Sequence, residues 1–106
     1  KPDYAKAYYG LGLVYYKKNN LFKSKKYLNH SIQLNNNFID VHMVLGNIHR
    51  GNNNFLKAIT SYENAILIKK DYAPAYYAIG IAHEKQGNTK KAMEYFFKAQ
   101  ELGYKY

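Results

Sequence analysis

Three histidines share a helical register: His42 and His49 lie seven residues apart, and His83 repeats the His49 position further along the chain. Residues seven apart on a helix project from one face, which is the convergence a metal site needs, but such a site would still want a third ligand. The chain has no cysteine, so thiolate ligands, disulfides and cysteine nucleophiles are excluded. The same positions elsewhere hold Tyr8, Tyr15 and Tyr76, so these imidazoles stand where aromatic packing residues stand. The expectation is partly buried histidines between helices and no metal; His30 is expected to face solvent. The acids Asp40, Glu63, Asp71, Glu84, Glu94 and Glu101 are scattered and form no acid/base pair. No phosphate-binding glycine motif or nucleophile elbow occurs. Catalysis and a cofactor are not expected.

Charge is the other chemical resource. The net charge is +9, and residues 5–38 carry Lys6, Lys17, Lys18, Lys23, Lys25 and Lys26 with no acid at all. Residues 39–72 carry four basic and three acidic side chains, and residues 73–106 carry five and three. A basic end of this kind favours acidic partners, keeps a protein soluble, or meets nucleic acid or anionic lipid. No base-reading module is visible, so specific nucleic-acid binding is not the expectation. The longest apolar run, Tyr72–Ala82, contains Pro74 and Gly80 and is too short to span a membrane. Without cysteine, an intracellular, cytoplasmic setting is expected.

These residues are positioned by a repeat. Written in lines from Ala5, Ile39 and Ala73, the chain aligns without a gap. Gly12, Gly46 and Gly80 fall at one constant interval, preceded by Leu11, Leu45 and Ile79. Tyr4, Phe38, Tyr72 and Tyr106 form an aromatic column beside Asp3, Asn37 and Asp71. Asn20, Asn54 and Asn88 form another column.

Each line predicts two helices. The first segments are 5–18, 39–52 and 73–86, with large side chains at helical spacing: Tyr8, Leu11, Tyr15; His42, Leu45, His49; Tyr76, Ile79, His83. Asp3, Asn37 and Asp71 are placed to cap them, and Pro74 suits a first turn. The aromatic column is expected to fold back on that turn as a hydrophobic staple. The second segments, 21–34, 55–68 and 89–102, follow Asn19-Asn20, Asn53-Asn54 and Gly87-Asn88, residues that tolerate left-handed backbone. A glycine inside a helix costs roughly 1 kcal/mol against alanine. Its recurrence in one register, with the small column Ser24, Ala58 and Ala92, predicts close approach of paired helices.

The pattern closely resembles the tetratricopeptide repeat family: a large aromatic, Leu-Gly, an aromatic, a small residue, an aromatic and Ala within a repeat of about 34 residues. The stretch Ala73–Leu102 is a near match, with Ile79 for Leu, and residues 5–34 and 39–68 match more loosely. Asn36, Lys70 and Tyr104 fill the late proline column, and Ser24 and Ser31 replace Ala in the first copy, which is expected to loosen local packing. The resemblance implies an all-α, right-handed superhelical solenoid of six helices. Its repeats would be 5–38, 39–72 and 73–106, with 1–4 the tail of a preceding repeat in a longer array. It also implies a protein-interaction scaffold and no enzyme.

In that family the first helices line a concave groove. The corresponding positions are Lys6, Tyr9, Leu13, Tyr16 and Lys17; Asp40, Met43, Asn47, Arg50 and Gly51; and Pro74, Tyr77, Ile81, Glu84 and Lys85. Helical spacing places the same residues away from the Leu11/Gly12/Tyr15 stripe. The expected ligand is a peptide or amphipathic helix, with an acidic one favoured by the charge. The columns of the family's carboxylate clamp hold Tyr9, Leu13, Val44, Pro74 and Ala78, so no clamp is expected. Only Asn47 fits the asparagine ladder of O-linked N-acetylglucosamine transferases. A recognition arm of such a larger enzyme, and basic-patch binding to nucleic acid or acidic lipid, stay open as alternatives. An apolar C-terminal edge around Tyr95, Ala99 and Leu102 is expected to support self-association.

Overall fold

The computed structural model describes residues 2–105. Six α-helices follow one another: α1 (Tyr4–Lys17), α2 (Leu21–Leu34), α3 (Ile39–Gly51), α4 (Phe55–Ile68), α5 (Ala73–Lys85) and α6 (Thr89–Glu101). No strand occurs among the described residues. Each helix agrees with its sequence expectation to within one residue at either end. Lys1, and Tyr106 of the aromatic column, lie outside the described residues. The chain divides into two compact units: Lys1–Val41, with α1 and α2, and His42–Tyr106, with most of α3 and all of α4, α5 and α6.

The glycine column is where paired helices meet. A Cβ built at Gly12 would lie 2.6 Å from a Leu28 methyl, and one built at Gly80 would lie 2.6 Å from the Phe96 ring. At Gly46 the same atom would meet the Tyr62 ring. Each glycine therefore accepts one large side chain of its partner helix, and Leu28 and Tyr62 are completely buried there. Leu28, Tyr62 and Phe96 thus fill the seam within each hairpin. Small residues complete it, with Ala58, Ala65, Ala92 and Ala99 buried on the second helices.

The interhelical turns divide their work between two residues. Asn19 and Asn53 both take φ of 60°, and Gly87 takes 82°, so the first residue supplies the left-handed step. The second is an N-cap. Asn20, Asn54 and Asn88 accept backbone N–H bonds from Lys23, Lys57 and Lys91 at 3.2, 3.4 and 3.4 Å. The upstream capping column works less uniformly. Asp3 caps α1 by accepting from the Lys6 N–H at 3.2 Å, but the N-cap residue of α5 is Tyr72, which makes no side-chain cap bond, and Pro74 stands in the first turn. Asp71 is not its cap. Proline removes one of the N–H groups that would otherwise need an acceptor.

The serines of the first copy tighten its packing rather than loosen it. Ser24 Oγ donates to the Gly12 carbonyl at 2.8 Å, and Ser31 Oγ donates to the Ala5 carbonyl at 2.7 Å, all within the Lys1–Val41 unit. Both serines are fully buried. Each bond pins α2 to α1 at one end of the seam, and a buried bond of this kind contributes about 0.5–1.5 kcal/mol net.

The seam predicts an order of mutational cost. At Gly80 a methyl meets a ring and, at 3.2 Å, the Ala92 backbone carbonyl; at Gly12 it meets Cδ2 and Cγ of Leu28, with backbone no nearer than 3.5 Å. Overpacking a seam costs about 1–3 kcal/mol, against about 1 kcal/mol of helix propensity gained. Gly80→Ala is expected to lower the urea midpoint, and Gly12→Ala to lower it by a smaller amount, as followed by circular dichroism.

Candidate functional site

The candidate contact residues are side chains that the seams leave over, some in each unit. On α1, Tyr9 and Leu13 are half-buried, and Lys6, Tyr16 and Lys17 are exposed. On α3, Asp40 is exposed, and Met43, Asn47 and Arg50 are half-buried. On α5, Tyr77 and Ile81 are half-buried, and Glu84 and Lys85 are exposed. Several of the charges also have a local role. Asp40 sits in the first turn of its helix, and Lys17, Arg50 and Lys85 sit in last turns, where each suits the helix dipole.

Two of the tyrosines are braced by rings that sequence reasoning assigned elsewhere. Tyr9 meets Phe38 at 4.8 Å between centroids, tilted by 50°. Phe38, expected to staple the start of α3, thus packs its ring against the preceding α1. Tyr77 is held from two sides, stacked on Tyr104 at 4.5 Å and tilted against Phe96 at 5.3 Å. Tyr104 occupies the column where proline is usual, so nothing in the periodic pattern pointed to it. Asn47 is engaged from its own hairpin, since the Tyr62 hydroxyl donates to its Oδ1 at 2.6 Å. That bond orients the Asn47 carboxamide.

A second aromatic system lies on the other side of the first helices. Tyr8 and Tyr15 both pack on Tyr27, at 6.1 and 5.6 Å, and Tyr8 also stacks on the exposed His30 at 4.7 Å. Lys23 lies over Tyr15 and Lys26 over Tyr27, at 5.2 and 5.9 Å from the centroids. In the other unit, Tyr76 and His83 pack on Tyr95 in the same way, at 6.4 and 5.4 Å. A shallow cavity of about 430 Å³ opens beside them, lined by Glu63, Ile66, Leu67, Tyr76, Ile79 and Tyr95. Burial raises the Tyr95 phenol above its ordinary value, and the Glu63 and Glu94 carboxylates add to the effect.

The histidines stand in packing positions. His42 and His83 are buried, and His83 Nδ1 has no hydrogen-bond partner. Among the described residues, no three His, Cys, Asp or Glu side chains come together as a metal site would require. No helix there is long and apolar enough to cross a membrane.

Profiles of known repeats match along the chain: one described as TPR repeat over residues 46–87, and two described as tetratricopeptide repeat over 5–38 and 73–102. The chain belongs to the tetratricopeptide repeat family. Solved tetratricopeptide structures agree. A crystal structure of MamA matches with a TM-score of 0.87 at 35% identity, covering 92% of this chain and 57% of that one. Another of the MamA protein matches at 0.88 and 35%, covering 92% and 54%. This chain therefore spans little more than half the length of those structures. The translocator chaperone SycD of Yersinia enterocolitica matches at 0.89 and 20% identity, over 96% of this chain and 77% of that one, a likeness of fold. No curated protein sequence matches significantly. Membership of the family supports a protein-interaction scaffold.

The raised Tyr95 phenol has a pH signature. The folded state holds its proton to higher pH than the unfolded chain, so stability is expected to fall as pH rises through the ordinary tyrosine range near 10. Glu63→Gln removes one cause and should bring the Tyr95 titration, followed by ring-labelled tyrosine NMR, back toward that range.

Proposed function

We propose that the chain binds an extended or helical peptide along its first-helix face, as part of a longer tetratricopeptide array. The observation that carries this reading is the bracing of Tyr9 and Tyr77. Rings already held by Phe38, and by Phe96 and Tyr104, lose little further freedom when a ligand lands on them. Aromatic anchors of this kind contribute a large contact area at low entropic cost. Leu13 and Tyr16 extend the face in one unit, and Met43 and Ile81 in the other, with methionine able to adapt its shape. Lys6, Lys17 and Lys85 border it with positive charge, and the chain as a whole carries +9. An acidic peptide with aromatic or aliphatic anchors is the ligand this chemistry favours. The proposed role is recognition, with chemistry left to whatever the scaffold brings together.

The test uses peptides selected from a random display library with the chain as bait. Selected sequences are expected to be enriched in acidic and large apolar residues. Replacing Tyr16, Met43 and Ile81 by Ala should weaken them about a hundredfold, since each lost anchor is worth about 1 kcal/mol. None of the three is the side chain that meets a seam glycine, so helicity by circular dichroism should be retained. Peptides that bind the triple variant as tightly as the parent would contradict the reading.

A further inference from the structure

Glu63 is the one charged side chain among those lining the shallow cavity of about 430 Å³ between α4, α5 and α6. A volume of that order is typical of small-ligand clefts. The other lining residues are the aliphatic Ile66, Leu67 and Ile79 and the rings of Tyr76 and Tyr95. Glu63 is exposed, and Leu67 is 83% exposed. An acid, two aromatic rings and an aliphatic wall thus meet on a chain whose net charge is +9.

This combination is not what the repeat demands. One repeat earlier the same columns hold Asn29, Ile32, Gln33, His42, Leu45 and Ser61, with no acid and no tyrosine. Nor do the cavity walls stand at an array end. In the register of this chain, a following hairpin would meet α6 at Phe97, Gln100 and Glu101, the columns of Glu63, Ile66 and Leu67. None of those three residues lines the cavity.

The rings are held before any ligand arrives. The Tyr76 hydroxyl donates to the Lys70 carbonyl at 2.9 Å. Tyr95 packs on Tyr76 and His83, at 6.4 and 5.4 Å between centroids. Side chains fixed in this way lose little further freedom on binding. Electrostatics favour a cation here. Burial, and then the Glu63 and Glu94 carboxylates, raise the Tyr95 phenol, and a negative field that disfavours a phenolate favours a positive group beside it. Glu94 belongs to a smaller adjoining cavity of about 220 Å³, where Lys91 and Lys98 offset it. On the Glu63 side no basic residue is among the lining residues.

We propose that the cavity between α4, α5 and α6 takes an arginine side chain from a basic segment of a partner protein. The aliphatic stem lies along Ile66, Leu67 and Ile79, the guanidinium lies over a tyrosine ring, and its N–H groups donate to the Glu63 carboxylate. Arginine suits the site better than lysine, because its planar head can stack on a ring and pair with a carboxylate at once. The ligand has the opposite charge to the one favoured on the first-helix face, so the chain has two separable recognition sites.

The test titrates the chain with acetyl-Gly-Arg-Gly-amide and follows Tyr76 and Tyr95 by ring-labelled tyrosine NMR. One side chain is expected to bind with a Kd of about 1–10 mM, shifting both rings saturably. The citrulline peptide keeps the shape and loses the charge, and should bind about tenfold more weakly or worse. The lysine peptide should also bind more weakly than the arginine one. Glu63→Gln, at an exposed position, should keep the helicity and weaken arginine binding about tenfold. The variant with Tyr16, Met43 and Ile81 replaced by Ala should bind the arginine peptide as the parent does. No saturable shift of the two rings below about 50 mM, equal binding of the citrulline or lysine peptide, or binding unchanged by Glu63→Gln would each overturn the proposal. Loss of arginine binding in the triple variant would overturn it too.

Discussion

The contact on which the rest depends is the glycine seam. Gly12, Gly46 and Gly80 accept Leu28, Tyr62 and Phe96 at distances no Cβ would permit. A helix interior normally disfavours glycine by roughly 1 kcal/mol. Here the missing side chain admits one large group per hairpin, and burying such a group returns about 1.5–3 kcal/mol. With the seam closed, the small second-helix residues can pack flush. The polar termini are then settled locally, by asparagine caps and left-handed turns. The remaining side chains of each first helix are what this arrangement leaves over.

That division explains how the chain combines a rigid frame with a variable surface. Columns that enter the seam repeat closely, whereas columns facing away hold Tyr9, Met43 and Tyr77, or Tyr16, Arg50 and Glu84. Packing constrains the former and leaves the latter to recognition. The aromatic braces join the two. Phe38 and Tyr104 belong to turns yet set the rings of Tyr9 and Tyr77, so loop residues contribute to the stiffness of the contact face.

Much of the fold was legible because the constant period repeats features of known physical cause. Helix positions followed from spacing, and the glycines announced close approach. What stayed hidden depends on side-chain direction, which period alone does not give. Ser24 and Ser31 read as poor copies of alanine, yet each donates a buried hydrogen bond across the seam. Phe38 read as a staple and turned to Tyr9. Asn20, Asn54 and Asn88 were visible as a column, but their role as caps needed the turn geometry. The exposed large apolar residues of α6 proved to be Met93 and Phe97, whereas Ala99 lies in the seam and Tyr95 packs on Tyr76 and His83.

The seam can be observed directly by proton NMR of the three glycines. Strong nuclear Overhauser contacts are expected from the α-protons of Gly46 and Gly80 to the Tyr62 and Phe96 rings, with ring-current shifts on both. Gly12 should show contacts to the Leu28 methyls without such a shift. Random-coil α-proton shifts at Gly46 and Gly80, with no contact to either ring, would contradict the seam.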